Sequence, residues 1–487
     1  MMMGTSMGML NRIARLISRR SLDAAAGGRR WDGARQVPSA NAAVTAGAGT
    51  VSQRAVHAYL NNPVIRNAVN TYAANAVGTG IWPKSRHPSE PERRRLDDAF
   101  TDAAADIDVA GRHDLAGVQR LATVGVIVHG EAFIRLRMSG TGDLRVQMIA
   151  ADQVDRTLHR DLAEGGNIRS GIEFDADGRP VAYHVLPAAP GDMLAPLSWN
   201  HVRVPASEIL HVFEAMEPGQ VRGLSWLASV LLKAKEVDEY EDAQLVRQKV
   251  AALLAGFLVD ATGAAEAFEG TRSGSILETG LEPGTLKVLP PGFDIKFSEP
   301  AEIGETTEFL RTQLRAIAAG LGITYEQLTG DLSGVNYSSI RAGLVEFRRK
   351  VDVFRWTVLV PQLCRPLWDR FITLRVLRGE IPAGAFERDR RAWLACDWNP
   401  PAWEWVDPLK DIQAETAAVE AGFKSRSQVV AALGEDAERV DALRAEDEAR
   451  AKRLGVPSPR AAAPRSGVGV VQHPDPVEPE QEEGKDA

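Results

Sequence analysis

The chain has 487 residues, 44% of them apolar, enough to bury a core divided among two or three domains. Its formal net charge of −8 excludes a simple basic coat for nucleic acid, which needs clustered Lys and Arg against phosphates, so any DNA contact has to be local and weak. Cys364 and Cys396 form no CxxC pair and have no neighbouring His, which argues against a disulfide framework or a structural zinc site, and no apolar run reaches the roughly 20 residues of a membrane span.

The opening MMMGTSMGMLNRIARLISRR lacks acids and carries Arg12, Arg15, Arg19 and Arg20. It superficially suits a transit peptide; the reading kept is a flexible basic arm over residues 1–50, whose Ala, Gly and Arg content does not offset the entropy of ordering. From Val51 onward Val56, Tyr59, Leu60, Val64, Ile65, Val69 and Tyr72 recur at three and four residues, predicting helix until Gly78 and Gly80. Between about 120 and 215, GEAFIRLRM, LRVQMI, GIEFDADGRPVAYHVL and EILHVFE read as short strands, with a hairpin at Asp175 to Pro180. Residues 51–223 thus form a region of helices plus strands.

A long helix is expected over 224–254, an insert over 255–302 and a second helix over 303–321. In the second, Ile303, Phe309, Leu310, Leu314, Ile317 and Leu321 line one side, away from Glu305, Glu308, Arg311 and Arg315. Within the insert, ILETGLEPGTLKVLPPGFDIKF offers strand-like runs punctuated by Pro283, Pro290 and Pro291, the makings of a small β-rich unit. A polar connection over 322–338 leads to a third long helix over 339–380. That helix is expected to kink where Pro361 and Pro366 each remove a backbone hydrogen bond. Beyond it, the Trp-rich passage RAWLACDWNPPAWEWVDPLKD opens a helical region over 381–453, and the Pro- and Glu-rich residues 454–487 read as a disordered tail. The fold class is α+β, predominantly helical.

Five segments together resemble the lambda-type family of tailed-bacteriophage portal proteins: NNPVIRNAVNTYAANAVGTGI, PGQVRGLSWLASVLLKAKEVDEYEDAQLVRQKVAA, LEPGTLKVLPPGFDIKF, ITYEQLTGDLSGVNYSSIRAGLVEFRR and WEWVDPLKDIQAETAAVEAGFKSRSQVV. The resemblance spans most of the chain. It implies a portal-type subunit with a wing (51–223), two stem helices (224–254 and 303–321), a clip insert (255–302), a tunnel loop (322–338), a long kinked wing helix (339–380) and C-terminal wing or crown helices (381–453). It further implies a dodecameric ring at one capsid vertex, through which double-stranded DNA enters and leaves without sequence-specific binding. The implied partners are other copies of the chain, the terminase large subunit, head-completion and tail connector proteins, and the major capsid or scaffold protein, with no membrane and no cofactor. The implied location is the virion, and the host bacterial cytoplasm during assembly.

By the same resemblance, the tunnel loop near DNA falls on Thr329, Gly330, Asp331, Leu332, Ser333, Gly334, Val335, Asn336 and Tyr337. Its Gly and short polar residues let backbone shift without breaking a packed core. The terminase-binding clip falls on Leu281, Glu282, Pro283, Gly284, Thr285, Leu286, Lys287, Pro290 and Pro291. Lys233, Glu236, Glu239, Glu305, Glu308, Arg311 and Arg315 are candidate stem or channel charges, although a solvated helix face with local ion pairs would look the same. Arg341, Arg348, Arg349 and Lys350 are candidates for a subunit interface, against the alternative of a face that touches only solvent.

No catalytic or metal-binding residue is expected. A nucleotide-binding P-loop, GxxxxGK[ST], is missing, since VGTGIWP and TGDLSGVNYSS lack its Lys, and GLSWL at Gly223 to Leu227 does not match the GxSxG elbow of a serine hydrolase. His129, His184, His201 and His211 are scattered without ligand spacing and read as structural. Trp393, Trp398, Trp403 and Trp405 are expected to pack into a core. The alternatives are another minor capsid or connector protein, or a DNA-processing enzyme with clustered acids around a divalent ion.

Overall fold

The computed structural model describes residues 39–192, 200–252, 256–260, 271–273, 276–278, 293–297, 304–334, 336–405 and 407–456. They divide into two units, Met1–Trp403 and Glu404–Ala487.

The first unit opens with α1 (Ala40–Asn61), so residues 40–50, expected to be loose, are helical. Ser39 starts the helix by accepting the Ala42 N–H, and the buried stripe Ala40, Val44, Ala48, Ser52 and Ala55 is made of small side chains. The single helix expected from Val51 is broken in two. Asn62 caps α2 (Pro63–Val77), accepting the Ile65 N–H while Pro63 occupies the first turn, where a missing N–H costs nothing. There follow β1 (Trp82–Ser85), α3 (Glu90–Ala105) and α4 (Leu115–His129). Gly130, at φ +90°, ends α4 in the left-handed conformation that only Gly adopts cheaply.

Strands β2 (Glu131–Met138) and β3 (Leu144–Ile149) make a hairpin. A five-stranded antiparallel sheet runs in chain order through β4 (Arg160–Asp161), β5 (Asn167–Arg169), β6 (Ile172–Phe174), β7 (Pro180–Val185) and β8 (Val202–Pro205). The expected hairpin joins β6 to β7: Asp175 Oδ1 accepts the Asp177 and Arg179 amides, and Gly178 supplies φ +77°. Then β9 (Ile209–Phe213) pairs with the other side of β2, placing Phe133 between Ile149 and His211 in a three-stranded sheet ordered β3-β2-β9.

A 3-10 turn at Trp226–Ser229 enters α5 (Leu231–Ala252), which therefore starts later than Leu224. Between it and α6 (Gly304–Leu321), the described backbone forms two antiparallel pairs: β10 (Gly256–Asp260) with β13 (Phe293–Phe297), and β11 (Thr271–Ser273) with β12 (Ile276–Glu278). The expected polar connection contains a short helix, α7 (Tyr325–Thr329), fixed by a reciprocal cap between Thr324 and Gln327.

The third long helix runs as α8 (Tyr337–Phe354), a π-helical stretch (Arg355–Cys364) and α9 (Arg365–Leu377). At the expected kink the backbone changes its hydrogen-bond pattern. Around Pro361 the helix widens, and the Arg365 N–H reaches back five residues to the Val360 carbonyl. Short helices α10 (Ala383–Arg388) and α11 (Arg390–Leu394) lead to β14 (Cys396–Asn399), which pairs with β1.

The core packs α2, α4 and the helix of Pro361 against the three-stranded sheet, with Trp368, Phe371 and Phe347 fully buried. Tyr72, Trp226 and Phe354 meet edge to face, their centroids 4.9 to 5.9 Å apart, and so pin the foot of α5 to α2 and α8. The second unit, described by itself, contains α12 (Pro408–Glu420), α13 (Arg426–Ala432) and α14 (Ala437–Leu454), with Arg426 paired to Asp441 at 2.9 Å. No described helix is long and apolar enough to cross a membrane.

Candidate functional site

Helices α5 and α6 touch chiefly along one end. There Val230, Ala234 and Val237 bury against Ile317 and Ala318, and Gly320 lets the backbones close, since a Cβ on it would stand 2.4 Å from Val230 Cγ1. Further along, Tyr240 meets Phe309 at 5.1 Å, the last aromatic contact of the pair. Apolar residues also face outward at both ends of that contact: Leu232 at the foot is 73% exposed, Phe309 48%, and Leu245 and Val246 past Tyr240 are 53% and 58% exposed. Two helices alone do not bury a stripe of this size, so the pair presents a surface.

Among the candidate stem charges, Lys233 and Glu236 are exposed, and Glu239 pairs with Lys235 at 3.2 Å. Glu308 lies 3.7 Å from Arg311 and 3.8 Å from Arg315, local pairs of the kind a solvated helix face makes. Glu305 is described in backbone only. Along α5, Glu236, Asp238, Glu239, Glu241 and Asp242 stand with no base between Glu236 and Val246. Burial first, then the like charges of Asp238 and Asp242, push the Glu241 carboxyl up.

The loop after α7 is tied to α6 through one residue. Asp331 accepts from the Ser333 amide at 3.0 Å and hydroxyl at 2.6 Å, receives the Tyr325 hydroxyl at 3.3 Å, and lies 3.8 Å from Arg311. The Ser333 hydrogen bonds, helped by Tyr325 and Arg311, hold its carboxyl below the usual range. Thr329 and Gly330 end α7, Gly330 at φ +74°. Leu332, Ser333 and Gly334 are exposed, and Asn336 starts α8 by accepting the Ser339 N–H. Val335 lies outside the described residues and Tyr337 is described in backbone only. The result is a short exposed turn with both ends capped and one carboxylate fastened to the neighbouring helix.

On α8, Arg341 is exposed, Arg349 pairs with Glu346 at 2.7 Å, and Lys350 reaches the Gly322 carbonyl at 3.5 Å. Arg348 stacks over Trp403 at 5.3 Å, and Arg355 does so at 4.6 Å. Trp403 also donates to the Asp352 carboxylate, 3.2 and 3.3 Å from its two oxygens. Trp393 and Trp398 are buried. The clip candidates Leu281, Glu282, Pro283, Gly284, Thr285, Leu286, Lys287, Pro290 and Pro291 all lie outside the described residues.

One cluster escaped the sequence reading. Glu131, buried at the start of β2, accepts from Arg222 Nε and Nη2, from Arg156, from His211 Nε2 at 2.9 Å and from the Gly223 amide at 3.1 Å. Arg222 turns its other N–H groups to the Val154, Ser170 and Ala151 carbonyls and stacks over Phe133 at 5.1 Å. Burial would raise the Glu131 carboxyl, but Arg222, Arg156 and the His211 hydrogen bond outweigh it and hold it well below the usual carboxylate range. The cluster joins both sheets to the segment that enters α5. Its sequence signal was a charge out of pattern: an acid opening an apolar strand, and an arginine between Val221 and Gly223.

Among the described residues no group of three or more His, Cys, Asp or Glu is placed to hold a metal ion. His184 bonds Glu173 at 3.0 Å, His201 bonds Asp155 at 3.0 Å and His129 bonds Ser52 at 2.8 Å, all structural uses.

The sequence profile described as "Phage portal protein, lambda family" matches residues 27–355, from ahead of α1 to the end of α8. The molecule is thus a phage portal protein. Within that class, the chain belongs to the lambda family. It is 27% identical over 477 residues to the probable portal protein of Halomonas phage phiHAP-1, covering 93% of this chain and 89% of that protein. To portal protein B of Escherichia phage lambda it is 26% identical over 463 residues, covering 84% and 85%. Among solved structures it is similar to a chain from the neck of an empty gene transfer agent particle, with a TM-score of 0.49, 15% identity, and coverage of 80% of this chain and 93% of that one.

Proposed function

We propose that copies of this chain close into a dodecameric ring at one capsid vertex and form the channel for double-stranded DNA during packaging and ejection. In this reading α5 and α6 are the stem, residues 255–302 the clip that receives terminase and later the head-completion proteins, and the turn from Thr329 to Tyr337 the part that approaches DNA. The role is structural, not enzymatic, and the site of action is the virion, after assembly in the bacterial cytoplasm.

The observation that carries the reading is the arrangement of two long helices around a strand-bearing insert, followed by an exposed turn anchored to the second helix through Asp331 and Arg311. Mixed charge on the helices suits a conduit, because every phosphate contact retained would have to be broken as the duplex moves. In a closed ring each contact is heterologous, so the exposed Arg341 and Arg349 of α8 meet a different surface of the next copy.

A reconstruction of the purified oligomer tests the ring: particles with a central hole are expected, and a strictly monomeric protein under all assembly conditions would refute it. Shortening the turn between Asp331 and Asn336 should leave rings intact while lowering DNA packaging or retention, whereas loss of rings would make the turn structural. Substitutions between Leu281 and Pro291 should weaken terminase binding, and unchanged binding would remove the clip assignment. ATP turnover or metal-dependent DNA cleavage by clean protein would favour the enzyme alternative.

A further inference from the structure

The second unit has three capped helices and no core. Asp407, Ser425 and Asp436 start α12, α13 and α14 by accepting the Lys410, Gln428 and Glu438 amides. Yet none of the residues described from 404 to 456 is buried. Helices α13 and α14 touch, and only half-bury Val429, Val430 and Val440. Large apolar side chains stand open on every helix: Leu409 and Ile412 on α12, Leu433 at the end of α13, and Leu443 and Leu454 on α14. Phe423, in the turn after α12, is 85% exposed. Helices of 13, 7 and 18 residues draw most of their stability in a protein from packing an apolar face, and here that packing is missing from the single chain.

Two different faces are left over. On α14, Val440, Leu443, Ala451 and Leu454 follow one another at three, eight and three residues and so fall in one stripe. Asp447 interrupts it and is neutralised by Arg450. Arg439 and Arg453 lie along one edge of the stripe and Arg444 along the other by the same spacing, and none of the three makes an ion pair among the described residues. On α12 the open face is Leu409 and Ile412, with Phe423 just past its end, and Glu420 beside that face makes no ion pair either. Acids outnumber bases over 404–456, which argues against DNA as the cover. A head-to-tail contact between copies needs two unlike surfaces that fit each other, and this unit has them. We propose, resting on the ring reading above, that the α14 stripe of each copy packs on the α12 face of the next, its arginines toward Glu420 and Phe423 buried at the junction.

Each copy then lends its α14 stripe to one neighbour and its α12 face to the other, so both faces are covered in every copy only when the ring closes. Removal of the leucines and Phe423 from water drives the contact, and the arginines and Glu420 select which face is met. The core that the single chain withholds is supplied by assembly, and the fold of this unit is coupled to it. The pairs inside the unit, Arg426 with Asp441 at 2.9 Å and Lys424 with Glu415 at 2.7 Å, are exposed and contribute too little to hold the helices by themselves.

The experiment places a photoreactive benzoylphenylalanine at Leu443, and separately at Phe423, in the full-length chain. Isotope-labelled and unlabelled copies are mixed before assembly, so that mass spectrometry tells cross-links between copies from those within one, and electron microscopy reads rings on the same samples. Cross-links between copies are expected from Leu443 into 408–423 and from Phe423 into 437–454. Rings whose cross-links stay within a copy, run to the first unit, to residues 457–487 or to DNA, or do not form at all, would overturn this pairing and leave the ring reading standing. A chain that never forms rings would remove both. Amide exchange supplies an independent measurement: in α12 and α14 it should be at least about tenfold slower in rings than in the unassembled full-length chain. Equal exchange in the two forms would show that the unit holds its fold without a neighbour, against the proposal.

Discussion

Gly130 and Gly223 pass so close that a Cβ built on Gly223 would stand 1.9 Å from the Gly130 carbonyl oxygen. Gly130 is as confined, since a Cβ on it would meet the Leu224 backbone at 2.3 Å. This crossing brings the Gly223 amide onto Glu131 and sets the direction in which the chain leaves for α5. Gly223→Ala has backbone, not a flexible side chain, in its way, so the strap must lift. A loss of about 3 kcal/mol or more is expected in urea unfolding of the unassembled protein. A loss below about 1 kcal/mol would mean the strap yields freely and does not orient the helix.

The charge cluster beneath that crossing predicts a response to acid. His211 and His129 are held below the ordinary histidine range, mainly by burial. Below about pH 6.5 the unfolded chain takes up protons that the folded chain refuses, so each histidine's contribution is complete above that pH and is lost as pH falls toward its folded value. Glu131, also depressed, adds a second loss that begins near pH 4.3, where the unfolded carboxyl starts to protonate. Denaturation midpoints should therefore fall between pH 7.5 and 5.5, and His211→Gln should flatten part of that fall. An unaltered slope in the variant would show that His211 is not the group titrating.

Removing the carboxylate itself strands two guanidinium groups. Glu131→Gln is expected to cost about 3 to 5 kcal/mol at pH 7, because Arg222 and Arg156 stay buried without their counter-charge. Replacing Arg222 by Met in the same molecule should return part of that loss. A double variant no more stable than Glu131→Gln alone would show that the hydrogen bonds from Arg222 to three carbonyls matter more than its charge.

What could be read from the sequence followed the range of the interaction. The strands at Glu131–Met138 and Leu144–Ile149 and the turn at Asp175 show in local pattern and turn chemistry, as does the apolar side of α6. The start of α1 was missed because its buried stripe is Ala, Val and Ser, with little contrast against a flexible Ala-rich arm. Asn62 and Pro63 together spell a cap followed by a first-turn proline, a local sign that the continuous apolar spacing masked. The partners Glu131, Arg156, His211 and Arg222 are scattered along the chain, and no local window joins them. The tether from Asp331 to Arg311 spans the five-residue helix Tyr325–Thr329, too short to show an apolar period and marked in the sequence only by its Thr324 and Gln327 cap.

Arg355 is buried at the head of the widened turn and donates to the Ala76 carbonyl at 2.8 Å, the Asn75 carbonyl at 2.7 Å and the Pro401 carbonyl at 3.3 Å, with Asp352 at 3.0 Å. A lysine keeps the charge but cannot present the planar fork to three carbonyls while lying on Trp403. Arg355→Lys should therefore cost about 2 kcal/mol or more in equilibrium unfolding. Loss of Trp403 burial should appear as a red-shifted component in tryptophan emission. A neutral substitution would place the joint between α2, α8 and the Trp403 segment elsewhere.

The two cysteines give a probe of the same core. Cys364 is buried beside Gln119, whose side-chain nitrogen lies 3.6 Å from its sulfur, and burial pushes its thiol up. Burial pushes the Cys396 thiol up to about 12, with Asp369 adding to the shift. A thiolate is the reacting species, so at pH 8 both should modify with a disulfide reagent far more slowly than a free cysteine of ordinary pKa. Cys364 should react only when the packing around Trp368 opens. In urea its modification should follow global unfolding, while Cys396, on the two-stranded β1–β14 ladder, should become reactive at lower denaturant. Simultaneous exposure would show that this ladder opens only with the core, and fast labelling of Cys364 in native protein would contradict the packing described around it.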